Sequence, residues 1–132
     1  MGGENAGRQG DARKRIMLVD DEKDVSVVLK SGLERHGFTV EVFNDPLDAL
    51  SQFKPEHYDL LLLDVRMPHM SGFELYGEVR KLDKGVKALM ISAFEIHESE
   101  LRKHLSEKES RSIIQKPISA KALAGIIDKE LS

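Results

Sequence analysis

The chain has no cysteine among its 132 residues. Disulfides, thiolate metal sites and a cysteine nucleophile are therefore excluded, which suits a reducing compartment. Its longest apolar run is four or five residues. That is too short for a transmembrane helix or a signal-peptide core, so the sequence predicts a soluble, cytoplasmic chain with no membrane partner. A basic excess is missing too. Formal net charge is −3, and Arg8, Arg13, Lys14 and Arg15 sit together in the first fifteen residues against Glu4 and Asp11. The remainder is more acidic than the total and offers no electrostatic footprint for direct nucleic-acid contact. His36, His57, His69, His97 and His104 are scattered without i, i+4 ligand spacing. They read as surface or loop residues. No internal repeat and no linker to a second domain occur.

What is present is an ordinary globular balance, 40% hydrophobic and 33% charged, in a chain long enough to bury one core. Residues 1–15 have four glycines and no apolar period, and read as a disordered tail. From residue 16 to 132 short apolar segments alternate with amphipathic ones. Ile16–Val19 predicts a first strand, and Val25, Val28, Leu29, Gly32 and Leu33 then share one helical face. Phe38–Phe43 alternates as a second strand. Asn44 or Asp45 caps the next helix, with Pro46 at its first position and Leu47, Leu50 and Phe53 on one side. Leu60–Leu63, four leucines in a row, reads as a strand buried on both faces. A helix carrying Leu75, Tyr76, Val79 and Leu82 follows Gly72. Val86–Ile91 is the fourth strand, and a charged helix from Ile96 to Glu109 has a thin stripe of Ile96, Leu101 and Leu105. Ile113-Ile114 is a brief fifth strand, and the last helix, from about Ser119, buries Leu123, Ile126, Ile127 and Leu131. Five strands alternating with five helices mean an α/β fold, a parallel sheet with helices on both faces.

In such a sheet all strands end on one edge, and ligands bind just beyond it. That edge collects Asp20, Asp21 and Glu22 after strand one, Asp64 after strand three, Ser92 after strand four and Lys116 after strand five. Asp64 by itself reads equally as a helix cap, a metal ligand or a nucleophile. Crowded carboxylates raise one another's pKa unless a cation screens them, and oxygen-only ligands suit Mg²⁺. A lysine and a hydroxyl opposite the acids make sense if an anion is also held there, as in phosphoryl transfer. A carboxylate nucleophile in that setting becomes an acyl phosphate.

Asp20-Asp21, the run from Asp64 through Val65, Arg66, Met67, Pro68, His69, Met70 and Ser71 to Gly72, Ser92-Ala93 and Lys116-Pro117 together resemble the receiver domain of two-component response regulators. The resemblance covers residues 16–132. It implies a CheY-like, flavodoxin-like (βα)5 doubly wound sheet in strand order 2-1-3-4-5. It implies Asp64 as phosphoacceptor, Lys116 paired with phosphoryl oxygens, and Ser92 bonded to one of them once phosphate is present. Mg²⁺ would be held by Asp21, Asp64 and the Arg66 backbone carbonyl, with Asp20 acting largely through water. It further implies a cis Lys116–Pro117 peptide and a chain that catalyses its own phosphorylation and dephosphorylation, from a sensor histidine kinase or a small phosphodonor. The phosphorylated form would act on a downstream protein target or on an output domain absent from this sequence. The surface of helix four, strand five and helix five is the implied candidate for a homodimer.

One residue and one segment depart from that pattern, and two positions beside the site carry large side chains. Ile113 stands where the family usually has Tyr or Phe, so the expected surface change at helix four and strand five is small. Arg66 and Phe94, two residues after the acceptor and the hydroxyl, are both large and are expected to shield the acyl phosphate from water. Residues Ser106–Arg111 lack the usual Gly-Ala, which leaves the end of helix four open in shape. Rival readings fit poorly. An FMN-binding flavodoxin needs a phosphate-cradling loop where Asp20-Asp21-Glu22 would repel phosphate. A haloacid-dehalogenase-type phosphatase needs a second Asp where Arg66 stands. The remaining alternative is a phosphate-independent pseudo-receiver used as a protein-interaction module.

Overall fold

The computed structural model describes residues 13–105 and 113–132. Of the expected tail, residues 1–12 lie outside the described residues, as does the segment Ser106–Arg111, whereas its last residue, Arg15, opens the first strand. Strand β1 (Arg15–Val19) leads into helix α1 (Lys23–Arg35), and β2 (Thr39–Phe43) into α2 (Pro46–Gln52). Then come β3 (Leu60–Asp64), α3 (Gly72–Leu82), β4 (Lys87–Ser92), α4 (Glu98–His104), β5 (Ile113–Gln115) and α5 (Ala120–Leu131). The five strands form one parallel sheet in the order β2-β1-β3-β4-β5. This is the doubly wound order that the resemblance implied.

β3 lies at the centre because its leucines can be covered twice. Leu60 and Leu62 pack with Leu29 and Leu33 of α1 and Leu123 and Ile127 of α5. Leu61 and Leu63 face the other way, onto Ala49, Phe73, Leu75 and Val79 from α2 and α3. All four are fully buried, each a loss of about 2–5 kcal/mol if cut back to alanine. Gly32 lets α1 approach α5, since a methyl group there would overlap the Ala120 side chain.

Helix starts follow local chemistry. Asp45, not Asn44, caps α2 by accepting from the Leu47 N–H at 3.0 Å. Ser71 and Glu74 form a reciprocal capping box on α3, and Ser119 accepts from the Ala122 N–H on α5. The apolar stripes are narrower than the periodicity predicts. Val28, Leu47 and Leu82 are exposed and Ile126 lies at the margin, because each helix buries only the arc that meets the sheet. In their place Ser26, Ala49 and Ala124 are buried. Among the described residues no helix is long and apolar enough to cross a membrane.

Candidate functional site

The carboxyl edge of the sheet gathers the residues singled out from the sequence. Asp20 leaves β1 with its N–H still donating to the Phe43 carbonyl of β2 at 3.0 Å. Its side chain is fully buried. One oxygen accepts from the Glu22 N–H at 2.9 Å and the other from Lys116 Nζ at 2.8 Å, so the charge is compensated where an unpaired one would be costly. Asp64 ends β3 and is 5% exposed. The Lys116 N–H donates to the Ser92 carbonyl at 2.8 Å, which ties the ends of β4 and β5 together, and the Lys116–Pro117 bond is cis.

Lys116 Nζ stands 3.7 Å from Asp64 Oδ1 and 3.3 Å from Glu22 Oε1. Carboxylate oxygens of Asp20, Asp21 and Asp64 all lie within 4.8 Å of one another. Burial pushes the Asp64 carboxyl up to about 7, helped by the negative charges of Asp20, Asp21 and Glu22 and opposed by Lys116. Burial alone would lower the Lys116 ammonium. Its bond to Asp20, the Asp64 charge and the Glu22 contact outweigh that and hold it above its ordinary range. The donor chemistry fits a hard divalent cation: three carboxylates, no sulfur and no imidazole, in a place where negative charge is in excess.

Arg66 lines the same cleft of about 280 Å³ as Asp21, Glu22, Asp64, Phe94 and Lys116. Its guanidinium, however, turns outward to Glu100. The Ser92 hydroxyl is fully buried and also turned from the acids, donating to the Phe94 carbonyl at 2.9 Å and accepting from the Phe94 N–H at 3.1 Å. Phe94 itself is 64% exposed. A single-residue turn in the loop after Asp64 brings the Met70 N–H to the Pro68 carbonyl at 2.8 Å, with His69 at φ 73°. Gly72 then packs its α-carbon against the Asp64 backbone, where any Cβ would overlap the Asp64 carbonyl oxygen.

Sequence reasoning missed part of the support. Asn44 donates to the Asp20 carbonyl at 2.7 Å and to Ser26 Oγ at 3.0 Å, so the residue that competed for the cap of α2 instead braces the acid loop. Its adjacency to Asp45 hid that role. Of the histidines, His36, His69, His97 and His104 are exposed, whereas His57 is half-buried with Nε2 3.1 Å from Glu41.

Fold and site together define a doubly wound α/β domain with an acid-and-lysine cleft at the carboxyl edge of its sheet. The response regulator receiver domain model matches residues 16–128, and the chain belongs to that family. It is 30% identical over 118 residues to the response regulator receiver protein CpdR of Brucella abortus, covering 89% of this chain and 97% of that one. A CheY-like receiver domain protein from Methanospirillum hungatei superposes with a TM-score of 0.74 at 28% identity, covering 90% and 94% of the two chains. The response regulator TrrA of Thermotoga maritima, solved in complex with Mg²⁺ and beryllofluoride, gives 0.72 at 32% identity over 88% and 97%. The chain spans about a third of the length of several other curated relatives that it matches.

Proposed function

We propose that Asp64 accepts a phosphoryl group from the phosphohistidine of a sensor histidine kinase, in a Mg²⁺-dependent reaction, and that the modified domain signals to a protein partner in the cytoplasm. The observation that carries this reading is the buried Asp64 carboxylate with Lys116 Nζ at 3.7 Å and two further acids within 4.8 Å. TrrA has also been solved in complex with the histidine kinase ThkA, which supports the class of donor.

An Asp64 carboxylate oxygen attacks phosphorus as the bond from phosphorus to the imidazole nitrogen breaks, and the leaving imidazole takes a proton from solvent. The product is an acyl phosphate. Lys116 is pre-positioned by Asp20 and Glu22, so its ammonium meets the phosphoryl oxygens without paying to order a flexible side chain. Ser92 Oγ supplies a hydroxyl donor if it turns from the Phe94 carbonyl. Asp21, Asp64 and the Arg66 carbonyl would hold Mg²⁺, with Asp20 reaching it largely through water because both its oxygens already serve Glu22 and Lys116. The ion supplies charge neutralisation between the acids and the incoming phosphoryl oxygens.

The test is intact mass after incubation with acetyl phosphate and Mg²⁺, beside Asp64→Asn. One added phosphoryl group, absent from the variant and absent without Mg²⁺, is expected. No adduct with acetyl phosphate, and none of the spectral change of a bound acyl-phosphate mimic with beryllofluoride, would favour the phosphate-independent interaction module instead.

A further inference from the structure

Helix α4 is held differently from its neighbours. None of its residues is buried, its N-cap His97 makes no side-chain cap bond, and seven residues are too few for a helix to persist on propensity alone. Leu105, just past its end, reaches the core, and Leu101 packs partly against it. The His104 ring stacks on Phe73 at 5.0 Å. Among the described residues a further tie is polar: Arg66 donates two parallel hydrogen bonds to the Glu100 carboxylate, at 3.0 and 2.9 Å. This is the bidentate fork geometry that gives an arginine–carboxylate pair its strength.

The two ends of that tie belong to different parts of the molecule. Glu100 sits on α4. Arg66 follows Asp64 by two residues and lines the cleft into which Asp64 opens. Among the residues lining that cleft, the cations are Arg66 and Lys116, and Lys116 already bonds Asp20 and Glu22. A phosphoryl group on Asp64 would add close to two negative charges and three strong acceptor oxygens there. Arginine binds a phosphoryl group with the same fork that it offers a carboxylate. The Arg66 side chain is 46% exposed, so it is not locked by packing onto Glu100.

We propose that Arg66 is exchanged between two anions: Glu100 in the unmodified protein and the phosphoryl group on Asp64 in the modified one, so that phosphorylation unclasps α4. The exchange rests on the phosphoacceptor reading of Asp64. It makes Glu100 a positioning residue that competes with the product for Arg66, without touching the reacting atoms. The protein partner that reads the modified state would then meet a loosened α4, with Glu100 newly free on its surface.

The test is amide hydrogen exchange of Leu101 and Leu105, whose N–H groups donate to the His97 and Leu101 carbonyls at 3.1 and 2.8 Å. Wild type and Glu100→Gln are compared with and without Mg²⁺ and beryllofluoride, and the amides of β3 serve as an internal control for global stability. In wild type, beryllofluoride is expected to speed exchange at both amides by about three- to five-fold, the loss of one well-formed exposed ion pair. Glu100→Gln is expected to show that faster exchange already without beryllofluoride, and to respond to it by less than about two-fold. A purely structural ion pair would give additive effects. A variant that exchanges like wild type, or that keeps the full beryllofluoride response, overturns the proposal. Wild-type protein that forms the phosphoryl adduct but leaves α4 exchange unchanged overturns the exchange alone. Wild-type protein that forms no adduct with either reagent overturns the phosphoacceptor reading and the exchange with it.

Discussion

Asp64→Asn should make the metal-free protein more stable, and only above a definite pH. The Asp64 carboxyl is raised from its ordinary 3.8 to about 7, first by burial and then by Asp20. A group whose folded-state pKa is raised holds more protons in the native than in the unfolded chain between those two values. Stability therefore falls as pH climbs from about 4 to about 7 and is level above. Three pKa units at about 1.4 kcal/mol each set a ceiling of about 4 kcal/mol. Asparagine removes that cost, but it also deprives Lys116 Nζ of a carboxylate 3.7 Å away, so a net gain of about 2–3 kcal/mol at pH 8 is expected. Near pH 3.5, where Asp64 is protonated in the native state and mostly so in the unfolded chain, the two proteins should be nearly equal. Urea denaturation of both proteins at a series of pH values, in EDTA, reads this directly. Adding Mg²⁺ at ten times its dissociation constant should stabilise wild type at pH 8 by about 1.4 kcal/mol and the variant by much less. Parallel pH profiles for the two proteins would refute the account of Asp64 as a buried carboxylate held against its own charge.

Lys116→Met leaves the Asp20 carboxylate buried without its ammonium partner, so a loss of about 3 kcal/mol at pH 7 is expected in urea titrations, together with loss of adduct formation by intact mass. Gly72→Ala drives a methyl into the Asp64 carbonyl and should destabilise by about 2 kcal/mol. Gly77→Ala, in the same helix with open space around it, should stabilise by about 0.5–1 kcal/mol, and thermal melts of the pair check the contrast. Arg66→Asn and Phe94→Ala should each shorten the lifetime of the acyl phosphate several-fold, followed by loss of the added mass with time, because both side chains line the cleft that water must enter.

Much of this was legible because it depends on one dimension of the chain. Four consecutive leucines cannot alternate between core and solvent, so β3 had to be covered on both faces, and the residue after them had to emerge at the sheet edge. Asp20, Ser92 and Lys116 follow from the same rule: the end of a parallel strand names its own position. Exposure on the helices did not follow, because periodicity gives a direction while the width of the covered arc depends on neighbours. Val28 and Leu47 lie beyond that arc although they keep the spacing.

The contacts hidden from the sequence are those in which a polar side chain chooses between partners. Asn44 had a local role on offer, the cap of α2, and took a distant one, bracing Asp20 across 24 positions. Arg66 had the acid cleft beside it and took Glu100, 34 positions away. Nothing in spacing ranks such alternatives, because each is decided by where two elements come to lie after the core has packed. The choice made by Asn44 is fixed by a half-buried amide that donates to two acceptors at once, and reversing it would give up both bonds. That made by Arg66 is exposed and worth little more than thermal energy. Charge added within the cleft can therefore reverse the Arg66 contact and leave the Asn44 contact in place. If Asp64 is phosphorylated as proposed, the acid loop is expected to stay in place while Arg66 moves.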